Sequence, residues 1–168
     1  MRVRRLLIAA VATVTLFGPF AAAARAQDTL GGHIGIMLPL ATRANGTTTT
    51  IGDDFVIGFP TGITVRKSQT FAFDLELVPV IQNDPLHVDL TVHPGAVWGL
   101  GNGWGAGARL AFDVEKASWG FTPILNHGLT SGRGGTFFGE LVLPIRFQDN
   151  GSGTFTSIGI GVHVGVGF

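Results

Sequence analysis

His87, Asp89 and His93 are the residues whose types and spacing come nearest to a chemical site. Offsets of two and six keep all three on one face of an extended strand, and imidazole and carboxylate are donors that a divalent metal takes. Glu76, on a neighbouring segment, would be a further ligand. Distance limits the idea: residues six apart on a strand lie about 20 Å from each other, so His87 and His93 cannot hold one ion. The spacing matches no known ligand motif, and no metal or other cofactor is expected. For nucleophilic chemistry the raw material is His127 with Ser131, and Ser118 near Glu115. Both pairs fall in turn-like surroundings, where such side chains cap and solvate loops. Neither brings nucleophile, base and orienting group together, so an enzyme is not expected. The glycine runs at Gly31-Gly32, Gly132 to Gly135 and Gly159 to Gly167 open no helix that would present its amides to a phosphate.

The elements that must carry these residues are strands. Phe71, Phe73, Leu75, Leu77 and Ile81 alternate with Ala72, Asp74, Glu76, Val78 and Val80, and alternation marks a strand with two unlike faces. Leu86, Val88, Leu90 and Val92 alternate with His87, Asp89, Thr91 and His93 in the same way. The last segment sets Ile158, Ile160, Val162, Val164, Val166 and Phe168 against four glycines and His163. Turn signals divide the chain into eight strands near 30–43, 54–67, 70–82, 86–99, 103–114, 118–127, 135–147 and 154–168. Ser68-Gln69, Asn83-Asp84-Pro85 and Gly101-Asn102-Gly103 read as tight hairpin connections, whereas 44–53, 128–134 and 148–153 read as longer loops. Six strands hold a proline (Pro39, Pro60, Pro79, Pro94, Pro123, Pro144), which requires bulges or breaks because proline lacks a ladder donor.

Composition narrows the setting. The 168 residues include 26 glycines, 13 phenylalanines and three tryptophans but no tyrosine and no cysteine, so no disulfide holds the fold. Arg2, Arg4 and Arg5, an apolar run from Leu6 to Phe17, and Ala24-Arg25-Ala26 have the form of a secretory signal peptide cleaved after residue 26. The run is shorter than the roughly 20 residues a permanent helical span requires. Loss of four leader arginines leaves seven basic against eleven acidic residues, a net charge of −4 on a single domain over 27–168. No basic stripe remains for a nucleic acid, and none is expected as a partner.

One strand face is apolar and the other is glycine, alanine and isolated charge. A soluble sandwich would turn a well-charged face to water; here the small-residue face suits a narrow interior and the apolar face suits lipid. Eight strands enclose a lumen just wide enough to be filled by side chains, which excludes a wide aqueous pore. The expected fold is therefore all-β: an up-and-down antiparallel eight-stranded transmembrane β-barrel following the cleaved leader. Its inward phase carries Arg66, Asp74, Glu76, His87, Asp89, His93, Arg109, Asp113, Glu140 and Arg146, with His33 and His163 in the same phase. Buried charge must be paired, so the arginines and carboxylates are expected to form an interior salt-bridged network.

The final strand resembles the C-terminal assembly signal of small eight-stranded bacterial outer-membrane β-barrel proteins, with Val162, Val164 and Val166 alternating up to a terminal Phe168. Val166 stands where that signal commonly has an aromatic residue, and without tyrosine the interfacial girdles fall to Phe55, Phe59, Trp98, Trp104, Phe137 and Phe147. The resemblance implies a Gram-negative envelope, outer-membrane lipid and the outer-membrane assembly machinery as partners, and a structural or interaction role. Two other readings stand beside it: a barrel, in the membrane or lipocalin-like in the periplasm, whose glycine-lined interior accepts a small apolar ligand, and a lipid-modifying enzyme.

Overall fold

The computed structural model describes residues 29–83, 85–149, 151 and 153–168; the expected leader and its cleavage site at 1–26 lie outside them. Eleven strands are present among the described residues: β1 (Thr29–Ala44), β2 (Thr47–Thr50), β3 (Val56–Gly58), β4 (Thr61–Arg66), β5 (Phe71–Asn83), β6 (Leu86–Gly101), β7 (Trp104–Asp113), β8 (Ser118–Gly132), β9 (Gly135–Val142), β10 (Ile145–Asp149) and β11 (Thr154–Gly167). All pairings among the described residues are antiparallel, and β11 returns to pair β1 from His33↔Gly167 to Ala44↔Ser157. Grouping β2–β4 and β9–β10 as broken walls, the sheet closes into a ring of eight strands. Phe168 completes the seam by exchanging backbone hydrogen bonds with Gly32 at 2.8 and 2.9 Å.

Both breaks and two of the other irregularities fall at the prolines. Phe59-Pro60 separates β3 from β4 and faces Pro79 across the gap; Leu143-Pro144 separates β9 from β10 and faces Pro123. Pro39 sits at the shift in the β1–β11 register, and the β6–β7 ladder skips from Val92 to Gly95 around Pro94. Each proline thus occupies a place where the ladder asks for no donor, and the ring closes in spite of all six.

Two expected loops are not loops. Residues 44–53 begin with a hairpin, because Asn45 and Gly46 adopt φ of 50° and 80°, the left-handed pair that a two-residue turn between twisted strands requires. Thr47–Thr50 then pairs back onto Ala41–Ala44. The stretch 128–134 is strand almost throughout: a bulge between Gly128 and Thr130 restores the register, and Ser131↔Thr136 and Gly132↔Gly135 leave only Arg133-Gly134 as the turn. The termini and the turns after Arg66, Gly101 and Gly132 mark one end of the ring, here the terminal end.

Burial is inverted relative to a water-soluble fold. The buried side chains are mainly polar, among them Asp74, Glu76, Arg109, Glu140 and His163, while the large apolar residues point out, as Ile34, Leu77, Leu110, Trp119 and Val164 do. Among the described residues Val78, Ala111, Ile124 and Val142 are the buried hydrophobic ones.

Candidate functional site

The interior side chains are large, and the ring has room for them because glycines face them from adjacent strands. His33 lies over Gly62, where an added Cβ would overlap the imidazole; His163 lies over Gly35, Phe138 over Gly165, and Arg109 over Gly95, where a Cβ would sit 2.6 Å from the arginine Cγ. Gly62, Gly35, Gly165 and Gly95 are thus seats for side chains that enter the lumen.

Arg109 is the centre of the cluster so formed. Its Nε donates to Asp74 Oδ2 at 2.7 Å and its Nη1 to Glu140 Oε1 at 2.7 Å, while Nη2 lies 3.8 Å from Glu76 Oε1. Glu76 accepts from His33 Nε2 at 2.9 Å and His93 Nδ1 at 3.2 Å; Glu140 meets His163 Nδ1 at 3.2 Å. Thr64 Oγ1 donates to Asp74 Oδ1 at 2.9 Å, and Asn126 Nδ2 to Glu140 Oε2 at 3.4 Å. Every one of the eight walls contributes a side chain, so the cluster spans the lumen and ties the ring across its middle. Toward the terminal end, Phe138 sets its edge against both His33 (6.0 Å between centroids) and His163 (5.0 Å).

Three carboxylates face one guanidinium and three imidazoles. The excess of carboxylate is offset by the imidazoles and by Arg146, whose Nη2 lies 3.4 Å from His93. His33 has Asp74 and Glu76 at its two nitrogens (3.7 and 2.9 Å). His93 suits the neutral form: with Nδ1–H given to Glu76, its Nε2 accepts from Arg146 Nη2 at 3.4 Å.

No protein-family model matches the chain, and no curated protein matches it. The geometry alone therefore says how the expected site residues are arranged. Asp74, Glu76, His93, Arg109 and Glu140 meet in the cluster. Arg66 does not: it is exposed at the end of β4, between Thr29 and Ala72 in register, where the inward phase opens onto the ring's rim. His87 and Asp89 form a separate group at the end opposite the termini, where Asp89 Oδ2 accepts from Lys116 Nζ at 2.5 Å and from Gln82, with His87 Nε2 at 3.5 Å. Asp113 accepts from Thr91 Oγ1 at 3.1 Å, and Arg146 Nη1 donates to Thr122 Oγ1 at 3.0 Å. Among the described residues no group of three or more His, Asp or Glu is placed to hold a metal.

The serine pairs do not assemble. His127 packs its ring on Trp104 at 4.4 Å between centroids, and Ser131 shares a hydrogen bond with Thr136 at 3.0 Å. Four positions along β8 also separate them by about 13 Å. Ser118 is buried and Glu115 is exposed. The side chains that sequence reasoning left outside the network are His33, His163, Thr64, Asn126 and Phe138; alternation put the two histidines on the inward face, but only the register shows which strands they reach across to.

Between the cluster and the end opposite the termini the lumen is open. A cavity of about 280 Å³ rests on Glu76, Arg109 and Glu140 and reaches Asp89, Lys116 and Gln148 near the rim.

Proposed function

We propose that this chain is a non-enzymatic outer-membrane β-barrel protein with a mostly filled, salt-bridged lumen, serving the cell envelope as a structural or interaction element. The observation that carries the reading is the inverted burial: a polar interior inside an apolar exterior. Such a surface is unfavourable in water and favourable in lipid, where a closed ring also leaves no open sheet edge.

The aromatic residues support it. Trp98, Trp104, Phe137 and Phe168 are exposed toward the terminal end, and Phe55, Phe59, Phe112 and Trp119 toward the other, with Phe147 stacked on Trp119 at 4.8 Å. Trp104 and Phe112 stand eight residues apart on β7, about 27 Å along the strand and about 20 Å along the ring axis at an ordinary tilt, close to the apolar band of such proteins. The arginine-rich leader and the alternation ending on Phe168 point the same way, toward export and the outer-membrane assembly machinery. A lumen crossed by Arg109 and its partners leaves no passage of the kind wide barrels have.

The cavity favours one second reading, a barrel that also takes a small ligand. Fractionation of cells expressing the full chain tests the first: recovery in the outer membrane, released by detergent alone, is expected. Recovery in the soluble periplasm would overturn the membrane assignment in favour of the lipocalin-like form.

A further inference from the structure

The cavity above the central cluster has a lining of two unlike kinds. Met37, Pro39, Val78, Val80, Val142 and Pro144 give it an apolar lining from β1, β5 and the β9–β10 wall, and Asp89, Asp113 and Arg146 are set among them, Asp89 as the register partner of Val80 and Arg146 two residues beyond Pro144. The charges there are not paired off. Asp89 has Lys116, but Arg146 and Asp113 form an ion pair neither with each other nor with any other described residue. Arg146 spends Nη1 on Thr122 Oγ1 and on the carbonyls of Phe121 and Ile145, and one Nη2 hydrogen on His93, which leaves its Nε–H and a second Nη2–H for another acceptor. On the other wall Asp89 Oδ1 is buried without a hydrogen-bond partner, one diagonal step along β6 from the Thr91↔Asp113 pair.

A half-buried cation and a half-buried anion that line one cavity without touching each other, beside an orphaned carboxylate oxygen, call for a guest that carries both complementary charges. A purely anionic guest would satisfy Arg146 and be repelled by Asp113 and Asp89; a purely cationic one would meet the reverse. We infer that the cavity binds a small zwitterion with an apolar tail, of the class of the apolar α-amino acids. Its carboxylate lies on Arg146, its ammonium on Asp113, and its apolar side chain against Val78 and Val142. The volume of about 280 Å³ is at the small end for ligand sites and suits a guest of that size. Entry is from the end opposite the termini, since the central cluster closes the other. The site needs only the closed ring and not its placement in a membrane.

The test is titration calorimetry of L-leucine and L-phenylalanine into the full chain, in detergent micelles or in buffer according to where fractionation finds it. Saturable binding at one site per chain is expected. N-acetyl-leucine, which lacks the ammonium, leucine amide, which lacks the carboxylate, and glycine, which lacks the tail, should each bind at least about tenfold more weakly. Arg146→Gln and Asp113→Asn should each weaken leucine by at least about tenfold while β-sheet circular dichroism and the unfolding midpoint show a folded ring. The ligand comparison needs no variant, so it decides even where a substitution prevents folding. Absence of saturable heat from both amino acids up to millimolar concentrations, or N-acetyl-leucine or leucine amide binding as well as leucine, would overturn the assignment.

Discussion

Replacing Arg109 by methionine removes the charge at the middle of the lumen and keeps most of the stem that lies over Gly95. The side chain is 5 % exposed and its two short bonds, to Asp74 and Glu140, are both 2.7 Å. A charge-assisted hydrogen bond contributes about 1.5–3 kcal/mol, so the two together stand near 3–6 kcal/mol. Removing one partner of a buried ion pair costs about 3–5 kcal/mol, because the carboxylates stay behind uncompensated. The remaining contacts temper the loss: Asp74 keeps Thr64, and Glu140 keeps His163 and Asn126. We expect Arg109→Met to destabilise the chain by about 3–5 kcal/mol for these reasons. Urea unfolding in detergent micelles, followed by the fluorescence of the three tryptophans, measures it. Adding Asp74→Asn and Glu140→Gln to Arg109→Met should recover much of the loss, since no unpaired charge is then buried. A single variant within about 1 kcal/mol of the parent, or a triple variant no better than the single, would refute the view that charge pairing holds the lumen.

Three further outcomes follow from other parts of the ring. Gly62→Ala should cost about 1–3 kcal/mol by pushing His33 off Glu76, and much less in a His33→Ala background; an equal cost in both would show that the imidazole is not what the methyl meets. Leu110→Arg, on the exterior beside Arg109, should destabilise the lipid-inserted protein by about 2–4 kcal/mol, against under about 1 kcal/mol for Leu86→Arg near the rim; equal penalties at the two depths would contradict a lipid-facing band. The hydroxyl and then the amide of Thr50 hold the Asp53 carboxyl below the usual aspartate range. Because the folded value is the lower one, the contacts are complete above the ordinary aspartate value and are lost as pH falls through the lowered one. Amide exchange at Thr50 should quicken only in that acidic window, and an Asp53 carbon resonance titrating at the ordinary value would count against it.

Much of the ring is legible in the sequence because a strand's period is short and rigid. Phe71 to Ile81 and Val162 to Phe168 alternate so regularly that their two faces can be assigned before any partner is known. Alternation says nothing about depth, however, so Arg66 reads as interior although its place at the end of β4 leaves it at the rim. Nor does it give register, and register decides that His33 reaches Glu76 and that His163 reaches Glu140. Glycine misleads in 128–134 for a related reason: it signals a turn when read alone, yet Gly128 borders a bulge that keeps β8 in register. The Asn45-Gly46 pair was the strongest local hairpin signal in the 44–53 stretch, and its place inside a threonine-rich run obscured it. The cavity was the least legible feature, since it depends on which walls place Arg146 and Asp113 around one space.

The glycine seats bear on how such a chain can change over generations. His33 and Gly62 are register partners on adjacent strands, and so are Gly95 and Arg109. At Gly62 a larger residue meets the His33 ring first and fits once that side chain shrinks, whereas at Gly95 it also meets the backbone of Ala108 and Arg109, so substitution at 62 must arrive as a compensating pair with 33 across the hydrogen-bonded ladder. The exterior carries no such coupling. Related chains would therefore diverge fastest on their outer faces while exchanging large and small residues in step within, and an inverted pair, histidine at 62 with glycine at 33, would be the clearest trace of that history.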